Sequence, residues 1–505
     1  MRLFGVNEFS ARFPSMIAGA LTALLIYWLA LSMGLAAPGA RMASLAAATS
    51  LLLCGIAKAA TTDSVLTLTV VAAMWLHWEQ RKRFSWVRHA AFWAVLAASA
   101  LVKGPPGLAI VALGLACNAA WERWAARRGG LTGSAKIEWR QLAVRGAAGA
   151  AIFLALGLPW VVAAWRRTDG EFFRVSVGHH VVDRSMESFE GHGGPIFYYI
   201  PVALIGLFPW TALLFSAARW GWARRNEAAI RYCWSWFAPG FLMFSLAATK
   251  LPHYIAPLLP ALALMIGGWW ASGAAPGCGG QPPFPGLGWR RAGAALMGLA
   301  GVAAVSAIAV LIAVFDLGRF WLPFGAFGAA LALACLGGAA AAWSRSGLAW
   351  PRAARIWGWG AVAAYAVLFA WLLPSLEPLR PSKALVEPIL RSAPPGTELL
   401  ALEYTEPCLF FYWGAPVRIY DEGESVLGIG RLANASRPAA LVAEAERWQR
   451  WRERYGRLRG GLPEGIHPLL EGRYFQLQHG EWLDLVVVTN WTKAGEASGA
   501  AEAMD

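Results

Sequence analysis

The sequence predicts an all-α polytopic membrane bundle followed by a small C-terminal α/β domain, and three observations carry that expectation. Hydrophobic residues make up 57% of the 505 and charged ones 15%, with a mean hydropathy of +0.46, a balance that water-soluble domains do not reach. Apolar windows of about 18 to 25 residues, the length that crosses hydrocarbon as a helix, recur as far as residue 374. Beyond "WLLPSLEPLRPSK" the pattern changes to short apolar runs separated by Pro and Gly.

In order, the windows fall near 13–36, 41–59, 63–79, 86–102, 104–122, 144–165, 196–218, 231–249, 252–272, 291–314, 320–344 and 353–374. They make about twelve spans, within a transmembrane domain set at 1–376. In the following stretch "TELLALE", "APVRIYD" and "WLDLVVVTN" read as strands, and "LVAEAERWQRWRERYGRLR" as a polar helix. Together they place an α/β domain at 377–490. The tail, 491–505, holds too little apolar surface to fold and is expected to be disordered.

The net charge of +14 is a topology signal. Basic residues cluster in alternate loops: Arg81, Lys82, Arg83 and Arg88; then Arg123, Arg127 and Arg128; then Arg219, Arg224, Arg225 and Arg231; then Arg345, Arg352 and Arg355. The positive-inside rule makes those loops cytoplasmic, and their dispersal argues against a nucleic-acid surface. The C-terminal domain and the chain's start then fall outside. Six cysteines without paired spacing read as packing residues, and no Gly-rich loop calls for a nucleotide cofactor.

Ionisable residues at membrane depth are costly and mark sites. Here they gather on the outer face. Lys58 and Asp63 share one turn, Lys103 lies in "LVKGPPG", and Lys250, His253 and Tyr254 lie in "FSLAATKLPHYIAPLLP". The long outer loop, 166–195, contains "GHHVVDRSMESFEGH", with His179, His180, Glu190 and His192 beside Arg184. Such a density of imidazole and carboxylate suits a divalent cation, zinc, magnesium or manganese, and Arg184 suits a phosphate. Blander readings stand beside these: histidines bridging to neighbouring carboxylates, Lys250 snorkelling to the interface, and Asp63 capping the helix that follows "TT". A carboxylate, cations and a metal at the outer leaflet would fit a lipid bearing a phosphate and a sugar.

The segments "LFGVNEFSARFPS", "ATTDSVLTLTV", "LVKGPPGLA", "EGHGGPIFYYIPVALIGLFPW" and "FSLAATKLPHYIAPLLPALALMIG" occur in an order that resembles the bacterial membrane glycosyltransferases related to protein O-mannosyltransferases and to the lipid A aminoarabinose transferase. The resemblance covers residues 1–374, and the outer C-terminal domain fits its aminoarabinose branch. It implies a GT-C fold with an active site at the outer membrane face and a polyprenyl-phosphate sugar as donor. It further implies Asp63 in the catalytic site, Arg184 and Tyr254 at the donor phosphate, and His179 (or His180 by a shift of register) on the metal. Lys250 and Lys103 join the phosphate-binding set, while His192, His253 and Glu190 match the neighbourhood without a defined role.

Members of that family begin with one further span and an outer loop bearing the principal catalytic carboxylate, so the resemblance implies a chain shortened at its start. The reading is an integral-membrane transferase of the bacterial inner membrane, acting on a lipid or protein acceptor, with its site and C-terminal domain periplasmic. The alternatives are a polyprenyl-lipid flippase, using the same pocket without a base, and an inactive homologue acting as a binding subunit.

Overall fold

The computed structural model describes residues 4–128, 139–174, 193–274, 287–344, 349–434, 437–461, 465–476 and 481–491. Packing divides the chain into two compact units, Met1–Asp316 with Gly325–Tyr365, and Leu317–Phe324 with Ala366–Asp505.

All twelve apolar windows are helical. Among the described residues six helices are individually long and apolar enough to cross a membrane, and the count reaches eight if two bent pairs are each one span. Those pairs are Ala37–Ala48 with Leu51–Lys58, bent by 55°, and Tyr199–Gly206 with Thr211–Ala223, bent by 112°. The other four windows are the helices Asp63–Lys82, Trp86–Lys103, Pro105–Arg127 and Ala228–Leu246. Polar residues at their ends lower their mean hydropathy, and two of those residues, Asp63 and Lys103, build the site below.

Lipid gives helices little hydrophobic reason to associate, so close approach through small residues must supply the packing. Helix Ala37–Ala48 lies directly on helix Leu259–Ala274: a Cβ at Gly267 would sit 2.5 Å from the Gly39 carbonyl oxygen and 2.7 Å from Ala43 Cβ. Gly19 is similarly close to Ala57, where a Cβ would meet Cβ at 2.7 Å. At the opposite ends of the site-bearing helices, Glu122 accepts from Arg81 and from Arg231, the latter at 2.9 Å. Arg231 is 2% exposed and also donates to the Asn226 carbonyl at 2.8 Å. Two residues that read as loop charges thus tie three helices together.

The second unit contains a five-stranded mixed sheet in the order β2-β1-β3-β5-β4, with β1 Glu398–Leu402, β2 Val417–Tyr420, β3 Ala439–Glu444, β4 His467–Gln476 and β5 Glu481–Thr489. β1 runs parallel to β2 and β3, and β5 runs antiparallel to β3 and β4. Leu385, Ile389 and Leu409 cover one face, and Ile429, Leu432, Trp448 and Trp451 cover the other. Helix Ala445–Arg459 buries Trp448, Trp451 and Tyr455, a helical spacing that turns its arginines outward. The unit carries the α/β fold expected in the C-terminal part of the chain.

Candidate active site

Asp63 opens helix Asp63–Lys82, behind the cap residue Thr62, and no side-chain cap bond forms there. The cap position falls on Thr62 and Asp63 is the first helical residue, where the first turn favours a negative charge. The preceding turn is fastened to helix Glu8–Ser32. Ser15 Oγ donates to the Thr61 carbonyl at 2.7 Å, and Ser64 Oγ donates to the Ser15 carbonyl at 2.8 Å. Thr67 Oγ1 donates to the Asp63 carbonyl at 2.8 Å, which leaves the Asp63 side chain to face its neighbours.

Asp63 is only 5% exposed, and a buried carboxylate needs compensation. Lys103 supplies it, with Nζ on Oδ1. Lys103 ends helix Trp86–Lys103. Gly104 then turns the chain with φ 73° and ψ −139°, and Pro105 begins the next helix. Such a φ suits glycine and proline suits a helix start, so "KGPP" delivers the ammonium to the Asp63 turn. From the 3-10 segment Pro252–Leu258, His253 Nε2 comes within 3.9 Å of Asp63 Oδ2. The Tyr254 ring lies 5.6 Å from Lys103 Nζ, edge-on to His253 and tilted against Phe244. Lys250 is 6% exposed, and its ammonium donates to the Ala247 carbonyl.

Asp63, Lys103, Thr249 and Tyr254 line a cavity of about 660 Å³, a volume in the range of small-molecule sites. Its remaining walls are apolar, including Leu66, Phe153, Leu158, Trp160, Phe172 and Phe244. Helix Trp139–Thr168 forms one side. Leu154, Leu158 and Trp160 of that helix line the cavity while remaining about half exposed, at 53%, 50% and 47%, so the cavity opens sideways out of the bundle. A charged end joined to a long apolar flank can take an anionic head with a hydrocarbon tail, and the carboxylate at that end can accept a proton.

The structure thus brings Asp63, Lys103, His253 and Tyr254 together, and holds Lys250 beside them outside the cavity lining. His179, His180, Arg184, Glu190 and His192 lie outside the described residues. Among the described residues no group of three His, Cys, Asp or Glu side chains converges. The Lys103 ammonium also rests on the oxygen a metal would use, so these residues alone do not fit a divalent ion. Sequence reasoning missed Thr249, Phe153 and Phe172 in the lining. Only Thr249 had a local signal, its place beside Lys250. It also missed Ser15 and Ser64, whose hydrogen bonds join the first two motifs.

The helical bundle, the carboxylate and lysine above a lateral cavity, and the additional α/β unit define the class: an all-α polytopic membrane protein with a small α/β domain. Residues 2–169 match the family described as Dolichyl-phosphate-mannose-protein mannosyltransferase. Among curated proteins, the chain is 32% identical over 268 residues to the undecaprenyl phosphate-alpha-4-amino-4-deoxy-L-arabinose arabinosyl transferase of Edwardsiella ictaluri, covering 53% of this chain and 47% of that one. It is 31% identical over 280 residues to the protein of that name from Pectobacterium carotovorum, covering 54% and 47%. The chain spans about half the length of the curated relatives it matches, 47% in both cases. Among solved structures, ArnT from Cupriavidus metallidurans bound to undecaprenyl phosphate superposes with a TM-score of 0.73 at 20% identity, covering 97% of this chain and 85% of that one. The chain is therefore similar to these bacterial membrane transferases in sequence over about half its length, and to the solved ArnT structure in fold.

Proposed function

We propose that the protein is an integral-membrane glycosyltransferase that moves a sugar from a polyprenyl-phosphate donor to an envelope acceptor, either a lipid such as lipid A or a protein. The observation that carries this reading is the buried Asp63–Lys103 pair at the head of a sideways-opening apolar cavity. The polyprenyl tail lies along the apolar flank and the phosphate meets Lys103. By competing with Asp63 for the ammonium, the phosphate frees the carboxylate to take the acceptor's proton as the new glycosidic bond forms. The bond between the sugar carbon and the phosphate oxygen breaks with its electron pair on the oxygen, and Lys103 stabilises the negative charge that the departing polyprenyl phosphate gains. His253 and Tyr254 border the same point. Arg184 and Lys250 would complete the phosphate partners, and His179 or His180 would be the residue to hold a divalent ion, whose charge would favour the leaving phosphate.

The cytoplasmic membrane of a bacterium is the proposed location. The Arg81 and Arg231 ends of the helices face inward, and the Asp63 ends face outward. The names of the curated relatives support an undecaprenyl-phosphate donor class.

The test uses the full chain in detergent with a radiolabelled polyprenyl-phosphate sugar and extracted membrane lipids and envelope proteins. Label should move to an acceptor, and Asp63→Asn should lower turnover by about 100-fold or more. Donor that binds but is never cleaved would overturn the transferase reading, and donor moved intact between leaflets would install the flippase in its place.

A further inference from the structure

A second cavity, of about 260 Å³, lies at the far end of the bent pair Ala37–Ala48 with Leu51–Lys58 that leads into the Asp63 turn. Pro38, from the first turn of Ala37–Ala48, and Pro351, from the first turn of Ala349–Val367, both line it. Between Arg41 on this cavity and Lys58 next to the site turn run 17 residues, about 25 Å of bent helix. The two cavities are separate, and nothing in the transfer reaction uses the second one.

Two guanidiniums line it, Arg41 and Arg355. Both are exposed, and each Nε donates to a carbonyl of its own helix, at 3.4 Å to Ala37 and 3.3 Å to Pro351. No carboxylate among the described residues pairs with either, whereas Arg81, Arg224 and Arg231 have carboxylate partners. Behind the two charges the wall is apolar. Leu45 and Val362 contribute to it, and Trp359 stands at the rim with 74% of its surface exposed. Buried Trp210 donates its Nε1 hydrogen to Thr49 Oγ1 at 2.9 Å, leaving its ring for the cavity.

Two unpaired guanidiniums over an apolar slot, with an exposed tryptophan at the edge, match the join between a phosphodiester and its acyl chains. Arg forks onto phosphate oxygens, tryptophan favours the headgroup level, and basic pockets between spans on the cytoplasmic side bind anionic headgroups. The positive N-terminal ends of the two helices add to the attraction. Free phosphate would use the charges and leave the apolar wall uncovered. We infer that this cavity binds an anionic glycerophospholipid of the inner leaflet, its phosphate held by Arg41 and Arg355 and an acyl chain laid against Leu45, Trp359 and Val362. The bound lipid bridges helices Ala37–Ala48 and Ala349–Val367 on the side of the bundle opposite the sugar site.

Native mass spectrometry of the delipidated full chain in neutral detergent tests this with phosphatidylglycerol and phosphatidylcholine as probes. Phosphatidylglycerol should bind about tenfold more tightly than phosphatidylcholine, and R41Q/R355Q should remove that preference, while R41K/R355K keeps part of it. Leu45→Trp, at a position 43% exposed, fills the slot and leaves both charges; it should lose phosphatidylglycerol as well. Wild-type retention by R41Q/R355Q or by Leu45→Trp would overturn the assignment. Displacement of the lipid by millimolar inorganic phosphate would do the same, by showing an ion site without lipid preference. Polyprenyl-phosphate binding at the Asp63 cavity, measured in the same samples, should be unchanged, so this result stands or falls apart from the transferase reading.

Discussion

Asp63 and Lys103 compensate each other, so the two ends of the pair should fail differently when removed. Lys103→Met leaves a carboxylate with a 7% exposed side chain to His253 alone, 3.9 Å away, and should cost about 1–3 kcal/mol in thermal unfolding measured in detergent, as well as activity. Asp63→Asn keeps the shape and discharges the buried group, so activity falls while the melting temperature holds. The double variant should recover stability over Lys103→Met without recovering turnover, a coupling that a double-mutant cycle isolates. A double variant no more stable than Lys103→Met would show that the pair is not coupled. Tyr254→Phe removes a hydroxyl and keeps the ring beside Lys103 and His253. Weaker donor binding with an unaltered melting temperature is the expectation, and unchanged donor affinity would reduce Tyr254 to packing.

Helices in this bundle are placed by small residues and by one ionic clamp, and both make predictions about whole elements. Gly267→Ala would drive a Cβ into the Gly39 carbonyl and Ala43, forcing helix Ala37–Ala48 outward at about 1–3 kcal/mol. Gly55→Ala meets nothing within 4 Å and should gain about 0.5–1 kcal/mol from helix propensity; equal melting temperatures for the two variants would refute close packing as the cause. Glu122→Ala strands Arg231, which is 2% exposed, and should cost about 1–3 kcal/mol, with Glu122→Gln recovering part of it. In the α/β unit, β3 shows why local reading erred. "LVAEAERW" is rich in helix formers, yet Ala439–Glu444 is a strand because it lies between β1 and β5, with every position except Glu444 buried. Tertiary pairing overrode propensity there. Only from Ala445 onward does the helical pattern prevail.

Over the whole molecule the two units respond to different conditions, since one is built for lipid and the other for water. In the α/β unit, burial raises the Glu398 carboxyl, but the hydrogen bond and charge of Arg431 and the charges of Arg418 and Arg437 outweigh it and hold the group below its ordinary value. A folded value below the unfolded one means that this stabilisation is complete above the unfolded value of 4.5 and is lost as pH falls through the folded one. Acid titration of the full chain followed by tryptophan fluorescence should show that loss below the ordinary carboxylate range, and Glu398→Gln should flatten it; an unchanged profile would remove Glu398 as its source. The spans and the α/β class were legible in the sequence because an apolar run of membrane length admits one compact solution, and because alternating runs after residue 377 admit strands. That Asp63, Lys103, His253 and Tyr254 gather at one end of the helices was legible too, since they fall in turns that alternate with the basic loops. Their contact was not, because it depends on the turn at Gly104, the Ser15–Thr61 bond and the approach of a 3-10 segment from elsewhere in the chain. Nor was the sideways opening of the cavity, or the sharing of a second cavity by Arg41 and Arg355. Hydropathy records how deep a residue lies, but only the packing of helices decides which faces meet.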